Sequence, residues 1–237
     1  MSLPDLRVVL CQPRNPLNIG AAARAVSNFG FRHLRVVNPY DPAFREAVSA
    51  VGGAPVLQAA ELHANLAEAL HDCTLVVGTT AIGHRELQHP LMTLAEAAPL
   101  IHASNGPVAL LFGSEKFGLA NEELAFCHHL VHIPTSPQTP SMNLGQAVAV
   151  CLYELIRVPC RESLPGGPKP VAGSDAEQIT RMMFEVLRES GYTNRIVATS
   201  IELKVRRFVR RIRLTARDAP LVLGILRQIL WKFRDKQ

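Results

Sequence analysis

Three segments of this sequence place glycine beside polar side chains at spacings suited to holding a ligand and stabilising charge. The first runs from Asn15 to Arg24, and its opening Asn15-Pro16 pair is typical of a helix start. Arg24 then lies one turn beyond Gly20, on the same helix face. A guanidinium in that position suits clamping a phosphate or relieving negative charge on an oxygen.

The second segment is Gly-Ser-Glu-Lys-Phe-Gly-Leu, beginning at Gly113, and the third contains Ser141 and Asn143. A further loop, Thr79-Thr80-Ala81, is followed by Arg85. Each loop follows a short apolar run typical of a buried strand. Ligands of doubly wound sheets bind outside the carboxyl ends of the strands, so we expect the ligand at these loops.

Two common nucleotide-binding motifs are missing. No G-x-G-x-x-G follows the first apolar run. Gly113 and Gly118 have the spacing of a Walker loop, but Leu119 and Ala120 follow where Lys and Ser or Thr are required. The sequence therefore excludes ordinary Rossmann and P-loop chemistry. The alternative for the two glycines is that they only permit a tight turn.

The elements that must position these loops alternate between strands and helices. Buried strands are predicted at Leu6–Leu10, Leu34–Val37, Thr74–Val77, Val108–Phe112 and Leu130–Ile133. Apolar residues at helical spacing predict helices around Ile19 to Phe29, Leu62 to Leu70, Leu94 to Ile101 and Val148 to Leu155. This order predicts an α/β fold with a mostly parallel sheet and helices on both faces.

A second, all-α domain is expected at the carboxyl end. The stretch from Pro159 to Gly173 contains four prolines and three glycines, which neither a helix nor a strand can accommodate. We predict a first domain over residues 1–160, a linker over 161–173 and a helical domain over 174–237. Ser174 and Glu177 match a capping box for its first helix, which we expect to stop at Gly191.

The other two helices of this domain are predicted from their apolar faces. We expect the second helix to bury Ile201, Val205, Phe208 and Ile212 and to expose Lys204, Arg206, Arg207, Arg210, Arg211 and Arg213. We expect the third to bury Val222, Ile225, Ile229 and Phe233, with Trp231 also in the core.

Charge is divided unevenly along the chain. Residues 1–164 contain 10 Lys and Arg against 13 Asp and Glu, whereas residues 165–237 contain 15 against 7. Seven basic residues lie between Lys204 and Arg217 with no acidic residue among them. Such a split indicates a polyanionic partner for the basic part, and RNA phosphate explains it better than solubility alone.

Several protein classes are disfavoured. No apolar stretch approaches the roughly 20 residues needed to span a bilayer, and the amino terminus has no signal architecture, so we expect a cytoplasmic protein. The five cysteines form no C-x-x-C pair. Cys127, His128, His129 and His132 suggest a metal site, but neighbouring residues of a strand point to opposite sides, so we expect no metal.

Together, the N-x-G-x-x-x-R helix, the G-x-E-x-x-G-L loop and the I-P…P-S-M-N-L loop, in this order, resemble the three motifs of SPOUT-class RNA 2′-O-methyltransferases. The resemblance covers residues 6–157. The helical tail is similar to the carboxyl-terminal extension of the TrmJ-like branch, which methylates the ribose at position 32 of the tRNA anticodon loop. The resemblance implies a deep trefoil knot, S-adenosylmethionine as cofactor, and a homodimer in which Arg24 of one subunit faces the other's cofactor.

The resemblance also implies roles for individual residues. Arg24, Ser141 and Asn143 match the catalytic positions, with Arg24 acting either as a base or as a clamp for the neighbouring phosphate and the oxygen. The cofactor would be lined by Thr79, Thr80, Ala81, Gly113, Glu115, Ile133, Pro140, Ser141, Met142 and Leu144. Substrate RNA would be held by Arg24 and Arg85, and the basic helix suggests Lys204, Arg207 and Arg211 for the same role.

The expected function is therefore methylation of a tRNA ribose 2′-hydroxyl. Two alternatives remain: another tRNA or ribosomal RNA nucleotide as target, or a non-catalytic scaffold that binds nucleic acid.

Overall fold

The computed structural model describes residues 3–40, 44, 54–81, 89–157, 168–194 and 196–235. The strands are β1 (Leu6–Cys11), β2 (His33–Val37), β3 (Glu61–His63), β4 (Leu75–Thr79), β5 (Leu91–Thr93), β6 (Val108–Phe112) and β7 (His129–His132). They form one seven-stranded sheet in the order β3-β2-β1-β6-β4-β7-β5, and all neighbours are parallel. The predicted parallel α/β sheet is confirmed.

The helices of the first part of the chain are α1 (Pro16–Asn28), α2 (Ala54–Gln58), α3 (Leu66–Ala69), α4 (Leu94–His102), α5 (Asn121–Leu124) and α6 (Leu144–Arg157). They cover both faces of the sheet. Val8 of β1 packs in one core cluster with residues of α1, α4 and α6, whereas Val9 packs in another with residues of α3 and α5. Successive strand residues point to opposite faces, so the apolar side chains of β1 contribute to both cores.

Local sequence signals fix the start of α1, as predicted. The Asn15 side chain accepts a hydrogen bond from the Leu17 amide at 2.9 Å, and Pro16 occupies the first helical position. This cap sets where the first motif enters its helix. Packing of α1 against α6 is close, because a Cβ on Gly145 would lie 2.5 Å from the Ala21 Cβ.

The five predicted strands are confirmed to within two residues at each end, but β3 and β5 were not predicted. Each has three residues, and they form the two edges of the sheet. Leu62 was assigned to a helix and instead lies in β3, where its side chain is half exposed. Three residues are too few to show a strand period, so pairing with β2 decides the outcome. The trefoil knot stays a prediction.

The tail forms α7 (Gly173–Glu189), α8 (Ala198–Arg211) and α9 (Asp218–Arg234), and α7 packs against both other helices. Gly191 has φ +77°, as expected for a residue that stops a helix. The predicted capping box is wrong: α7 begins one residue before Ser174, and Glu177 binds Arg206 at 2.6 Å instead. The Glu177 carboxylate therefore forms an ion pair with a residue of another helix and does not cap its own helix.

The buried faces of α8 and α9 differ from the prediction. On α9 the buried residues are Ala219, Leu223, Leu226 and Leu230. Ile225, Ile229 and Trp231 are exposed there, and Phe208 and Ile212 are partly exposed around α8. Both segments carry apolar residues on more than one side, so their sequences offer several possible stripes. Docking against α7 selects one of them, and the local pattern cannot anticipate that choice.

Two arginines predicted on the exposed face of α8 are buried. Arg206 is paired with Glu177 and Glu202, and its guanidinium lies 4.6 Å from the centre of the Phe126 ring. Arg210 is 3% exposed, 3.8 Å from Glu177, and 5.9 Å from the same ring. A buried guanidinium requires an anion or an aromatic face, and this junction supplies both. The helical tail therefore docks on the sheet domain partly through its cations.

Gly173 marks the closest approach of the tail to the sheet domain. A Cβ there would lie 2.0 Å from the carbonyl oxygen of Leu70, and the neighbouring Ser174 amide donates to the His71 carbonyl at 2.9 Å. We expect Gly173→Ala to lower the free energy of unfolding by about 1–3 kcal/mol, because backbone must shift to admit the methyl group. Urea denaturation of the full chain measures this.

Gly224→Ala is the matched control. Gly224 lies inside α9, and a Cβ there has no atom within 4 Å. Alanine should stabilise that helix by about 0.5–1 kcal/mol. Equal stability of the two variants would contradict the tight junction at Gly173.

Candidate functional site

A cavity of about 390 Å³ opens at the carboxyl ends of β4, β6 and β7, where the polar loops were expected to bind a ligand. All ten residues predicted to line a cofactor lie around it: Thr79, Thr80, Ala81, Gly113, Glu115, Ile133, Pro140, Ser141, Met142 and Leu144. They come from three loops and the start of α6. Because these strands are parallel, their carboxyl ends meet at one edge of the sheet and bring the loops together.

The loop after β6 folds back on itself at the cavity. A Cβ on Gly113 would lie 1.9 Å from the carbonyl carbon of Gly118, so a side chain at Gly113 is excluded. Gly118 has φ +67°, and its amide donates to the Ser114 carbonyl at 2.8 Å. Both glycines permit this tight turn, and the turn also forms a wall of the cavity, so it is not their only place in the structure.

Glu115 joins the second motif to the first. Its carboxylate accepts hydrogen bonds from the backbone amides of Arg14 and Asn15, at 3.2 and 3.0 Å, and from Asn18 Nδ2 at 3.1 Å. Burial alone would raise the pKa of Glu115, but hydrogen bonds from its own backbone amide, and then from Asn18, Asn15 and Arg14, outweigh burial and lower the pKa. Glu115 is therefore ionised while it holds the start of α1.

Asn18 extends this connection to the third motif. Its Oδ1 accepts a hydrogen bond from Asn143 Nδ2 at 2.7 Å, and Asn143 Oδ1 accepts from the Gln146 amide in the first turn of α6 at 3.3 Å. Sequence reasoning included Asn18 in a motif but gave it no role. Its signal was its position two residues before Gly20 in the N-x-G-x-x-x-R pattern, yet only the fold shows that Asn18 contacts two other loops.

Two of the predicted catalytic residues do not line the cavity. Asn143 is directed to Asn18, as described above, and Arg24 lies on the exposed side of α1. Ser141 does line the cavity. Arg85 lies outside the described residues. The helices α1 and α6 pack against each other and expose the large apolar residues Leu17, Val150, Tyr153 and Ile156, with Leu17 77% exposed.

A second cavity, of about 310 Å³, lies between α8 and the residues that lead into β5 and β7. We call it the basic cleft. It is lined by the three predicted RNA-binding residues, Lys204, Arg207 and Arg211, together with His89, His129 and Arg213. Sequence reasoning placed Arg213 on the basic face but missed both histidines, because their proximity to α8 arises only from domain docking.

The histidines next to Cys127 make ordinary contacts within the protein. His128 Nδ1 accepts from the Val76 amide at 3.0 Å, and His129 Nε2 contacts Arg213 Nη2 at 2.7 Å. Over the described ranges, no group of three or more His, Cys, Asp or Glu side chains could hold a metal ion. The helices in those same ranges include none long and apolar enough to cross a membrane.

The role of Glu115 can be tested through the pH dependence of stability. A carboxylate whose pKa is lowered in the folded state stabilises it above the unfolded pKa of about 4.3 and loses this effect as pH falls through the folded pKa. Because Glu115 is exposed on one side, we expect Glu115→Gln to cost about 1 kcal/mol at pH 7 and less at acidic pH. Urea denaturation at several pH values measures the difference.

Glu122→Gln, at an exposed carboxylate on α5, is the control and should change stability little at any pH. A stability difference for Glu115→Gln that is constant with pH would show that the carboxylate charge is not responsible.

Comparison with known proteins gives a consistent result. Residues 5–153 match the model of the SpoU rRNA Methylase family. The tRNA (cytidine/uridine-2′-O-)-methyltransferases TrmJ of Pectobacterium atrosepticum and Salmonella typhimurium are each 33% identical, over 96% of this chain and 97% of theirs. The crystal structure of TrmJ from Z. mobilis ZM4 superimposes with a TM-score of 0.83 at 30% identity, covering 96% of this chain and 99% of that one. The resemblance to SPOUT methyltransferases is confirmed, and the chain belongs to the SpoU methylase family.

Proposed function

We propose that this protein transfers a methyl group from S-adenosylmethionine to the 2′-hydroxyl of a tRNA ribose, at nucleotide 32 of the anticodon loop. The observation that carries the proposal is the cavity, into which three loops distant in sequence bring all ten predicted cofactor residues. The similarity to TrmJ proteins over nearly the full chain, tail included, supports tRNA as the substrate.

The cavity suits this cofactor. Its volume falls within the range of ligand pockets, and Phe112, Leu119 and Ile133 provide apolar walls for an adenine ring. Hydroxyl and backbone groups at Thr80 and Ser141 would hold the polar parts of the molecule. When bound, S-adenosylmethionine supplies a methyl group on a sulfonium, which is reactive toward an oxygen nucleophile.

Catalysis rests on positioning and charge. A guanidinium is a poor proton acceptor, so we assign Arg24 to clamping the neighbouring phosphate and stabilising the negative character that develops on the 2′-oxygen. We assign Ser141, which lines the cavity, to approaching the nucleophile, and Asn143 to ordering the cofactor loop. Asn18 and Glu115 position Asn143 through the hydrogen bonds described above.

The proposal includes a homodimer in which Arg24 of one subunit faces the partner's cofactor. Two features support it: Arg24 is not among the residues that line the cavity of its own chain, and the packed helices α1 and α6 expose Leu17 and Tyr153. Large exposed apolar residues grouped on packed helices are typical of subunit interfaces.

The remaining assignments follow the charge distribution. We propose that residues 1–160 form the methyltransferase domain and that residues 174–237, after the 161–173 linker, bind RNA in the cytoplasm. Lys204, Arg207 and Arg211 would contact RNA phosphate from the tail, and Arg85 would do so from the sheet domain.

The first experiment is methyl transfer from labelled S-adenosylmethionine to bulk tRNA, with the modified nucleotide mapped by nuclease digestion and mass spectrometry. We expect a 2′-O-methyl at position 32. A methylated nucleotide elsewhere in tRNA, or in ribosomal RNA alone, would show that the proposed target is wrong and that the proposed reaction is right. No product with either RNA, and no thermal stabilisation by S-adenosylhomocysteine, would indicate the scaffold alternative.

Arg24→Ala should lower the rate of methyl transfer at least about a hundredfold, because it removes a preorganised charge from the transition state. Thermal stabilisation by S-adenosylhomocysteine should remain, since Arg24 does not line the cavity. Arg32→Ala, an exposed arginine just beyond α1, is the control and should retain activity. Wild-type turnover by Arg24→Ala would remove this residue from the mechanism.

Mixing two inactive variants tests the shared site. Ala81 is exposed and lines the cavity, so Ala81→Trp should block the cofactor without disturbing the core. In a mixed dimer, the Arg24→Ala subunit would supply an intact cavity and the Ala81→Trp subunit an intact Arg24. Statistical mixing should restore about a quarter of the wild-type sites. A mixture as inactive as its components would contradict the shared site.

A further inference from the structure

We propose that the basic cleft binds a phosphodiester of the substrate tRNA backbone, with Arg213 as its central cation and His129 as the residue that positions it. The proposal rests on the proposed function, because it takes tRNA as the substrate. It adds a binding site distinct from the cofactor cavity. His129 begins β7 within the cleft and Ile133 follows β7 within the cavity, so the two sites lie at opposite ends of that strand, roughly 13 Å apart.

Among the described residues that line the cleft, all the formal charges are positive. Its described lining contains Lys204, Arg207, Arg210, Arg211 and Arg213 and no aspartate or glutamate. Of these cations, Arg210 lies 3.8 Å from Glu177 and belongs to the domain junction. A concave surface with several cations and no carboxylate focuses a positive potential that attracts phosphate.

Arg213 is oriented without being neutralised. Its Nη2 donates to His129 Nε2 at 2.7 Å, and within the described residues no carboxylate oxygen lies within salt-bridge distance of it. Burial, and then the charge of Arg213, lower the pKa of His129, so this imidazole is neutral and accepts the hydrogen bond. A guanidinium has five N–H donors, and most of those on Arg213 therefore remain for an anion.

Burial and the same positive charges lower the pKa values of the other two histidines of the cleft. Burial lowers the pKa of His128 to about 3, and the charges of Arg210 and Arg213 contribute to this shift. Burial, and then Arg207, lower the pKa of His89 as well. Three neutral imidazoles therefore line the cleft beside its arginines.

The backbone at Arg213 is in a conformation that favours glycine. Its φ is +48°, two residues beyond the end of α8, where glycine usually ends a helix at no steric cost. An arginine pays a conformational penalty there. The strained conformation directs the side chain of Arg213 to His129. Backbone strain of this kind is typical of binding sites.

The shape of the cleft favours a polymer over a free ion. Lys204, Arg207 and Arg211 follow at helical spacing along one side of α8, a row roughly 10 Å long at 1.5 Å per residue. A single phosphate would engage only part of that row. Successive phosphates of an RNA strand would engage its whole length.

The test compares the wild-type protein with Arg213→Gly and with Arg181→Gln, which removes the same charge from an exposed position on α7 that does not line the cleft. The dissociation constant for tRNA is measured by filter binding over a range of salt concentrations. We expect Arg213→Gly to weaken binding about three- to tenfold and to reduce the salt slope by about one, because one phosphate contact is lost. Arg181→Gln should keep the wild-type slope.

The glycine variant separates binding from folding. Because glycine favours the φ of Arg213, its melting temperature should equal or exceed that of the wild type. In methylation assays its KM for tRNA should rise while kcat at saturating tRNA is kept. Wild-type affinity and salt slope in Arg213→Gly would overturn the proposal, as would a loss of affinity that accompanies a fall in melting temperature.

A further arm distinguishes RNA from a free anion. Inorganic phosphate replaces chloride at constant ionic strength. Three results together would show that the cleft takes free phosphate and that the assignment to RNA is wrong. Phosphate would raise the melting temperature of the wild type, Arg213→Gly would abolish that rise, and Arg213→Gly would leave the affinity for tRNA unchanged. Failure of the proposed function would give a different result. The wild-type protein would then bind tRNA with the expected salt slope but would not methylate it.

Discussion

The hydrogen bonds accepted by Glu115 hold the cofactor cavity together. This carboxylate fixes the start of α1 through two backbone amides and Asn18, and Asn18 in turn holds Asn143 at the start of α6. Loops about 100 residues apart in the chain are thereby held in one arrangement. Ionised acceptors make stronger hydrogen bonds than neutral ones, so the Glu115 carboxylate adds to the packing of α1 against α6 in joining the three motifs.

The parallel sheet determines where each activity lies. Its carboxyl edge carries the cavity, because all the loops that follow β4, β6 and β7 emerge there. Its amino edge, beside β5 and β7, meets the helical tail and forms the basic cleft. One short strand separates the two, which would allow an RNA backbone gripped at one edge to present a ribose toward the other edge.

The cations of α8 serve two purposes. Arg206 and Arg210 are buried against Glu177 and Phe126, and they attach the tail to the sheet domain. Lys204, Arg207 and Arg211 line the cleft. A buried guanidinium is costly unless it is paired, so the two groups cannot exchange roles. The position of Glu177 and Phe126 therefore decides which cations are buried at the junction.

The sequence by itself determined the parallel α/β sheet, the five longer strands and the start of α1, because strand periods and caps are local properties. The residues that line the cavity were predicted from the resemblance of three motifs to the SPOUT family. The sequence did not determine β3 and β5, the buried faces of α8 and α9, or the role of Asn18. Those depend on which surfaces meet. Pairing with β2 decides β3, docking on α7 selects among the apolar stripes, and the junction with Phe126 buries two arginines that the sequence pattern places in solvent. Only the tertiary structure decides these features, because the energy of burying a side chain depends on residues distant in the chain.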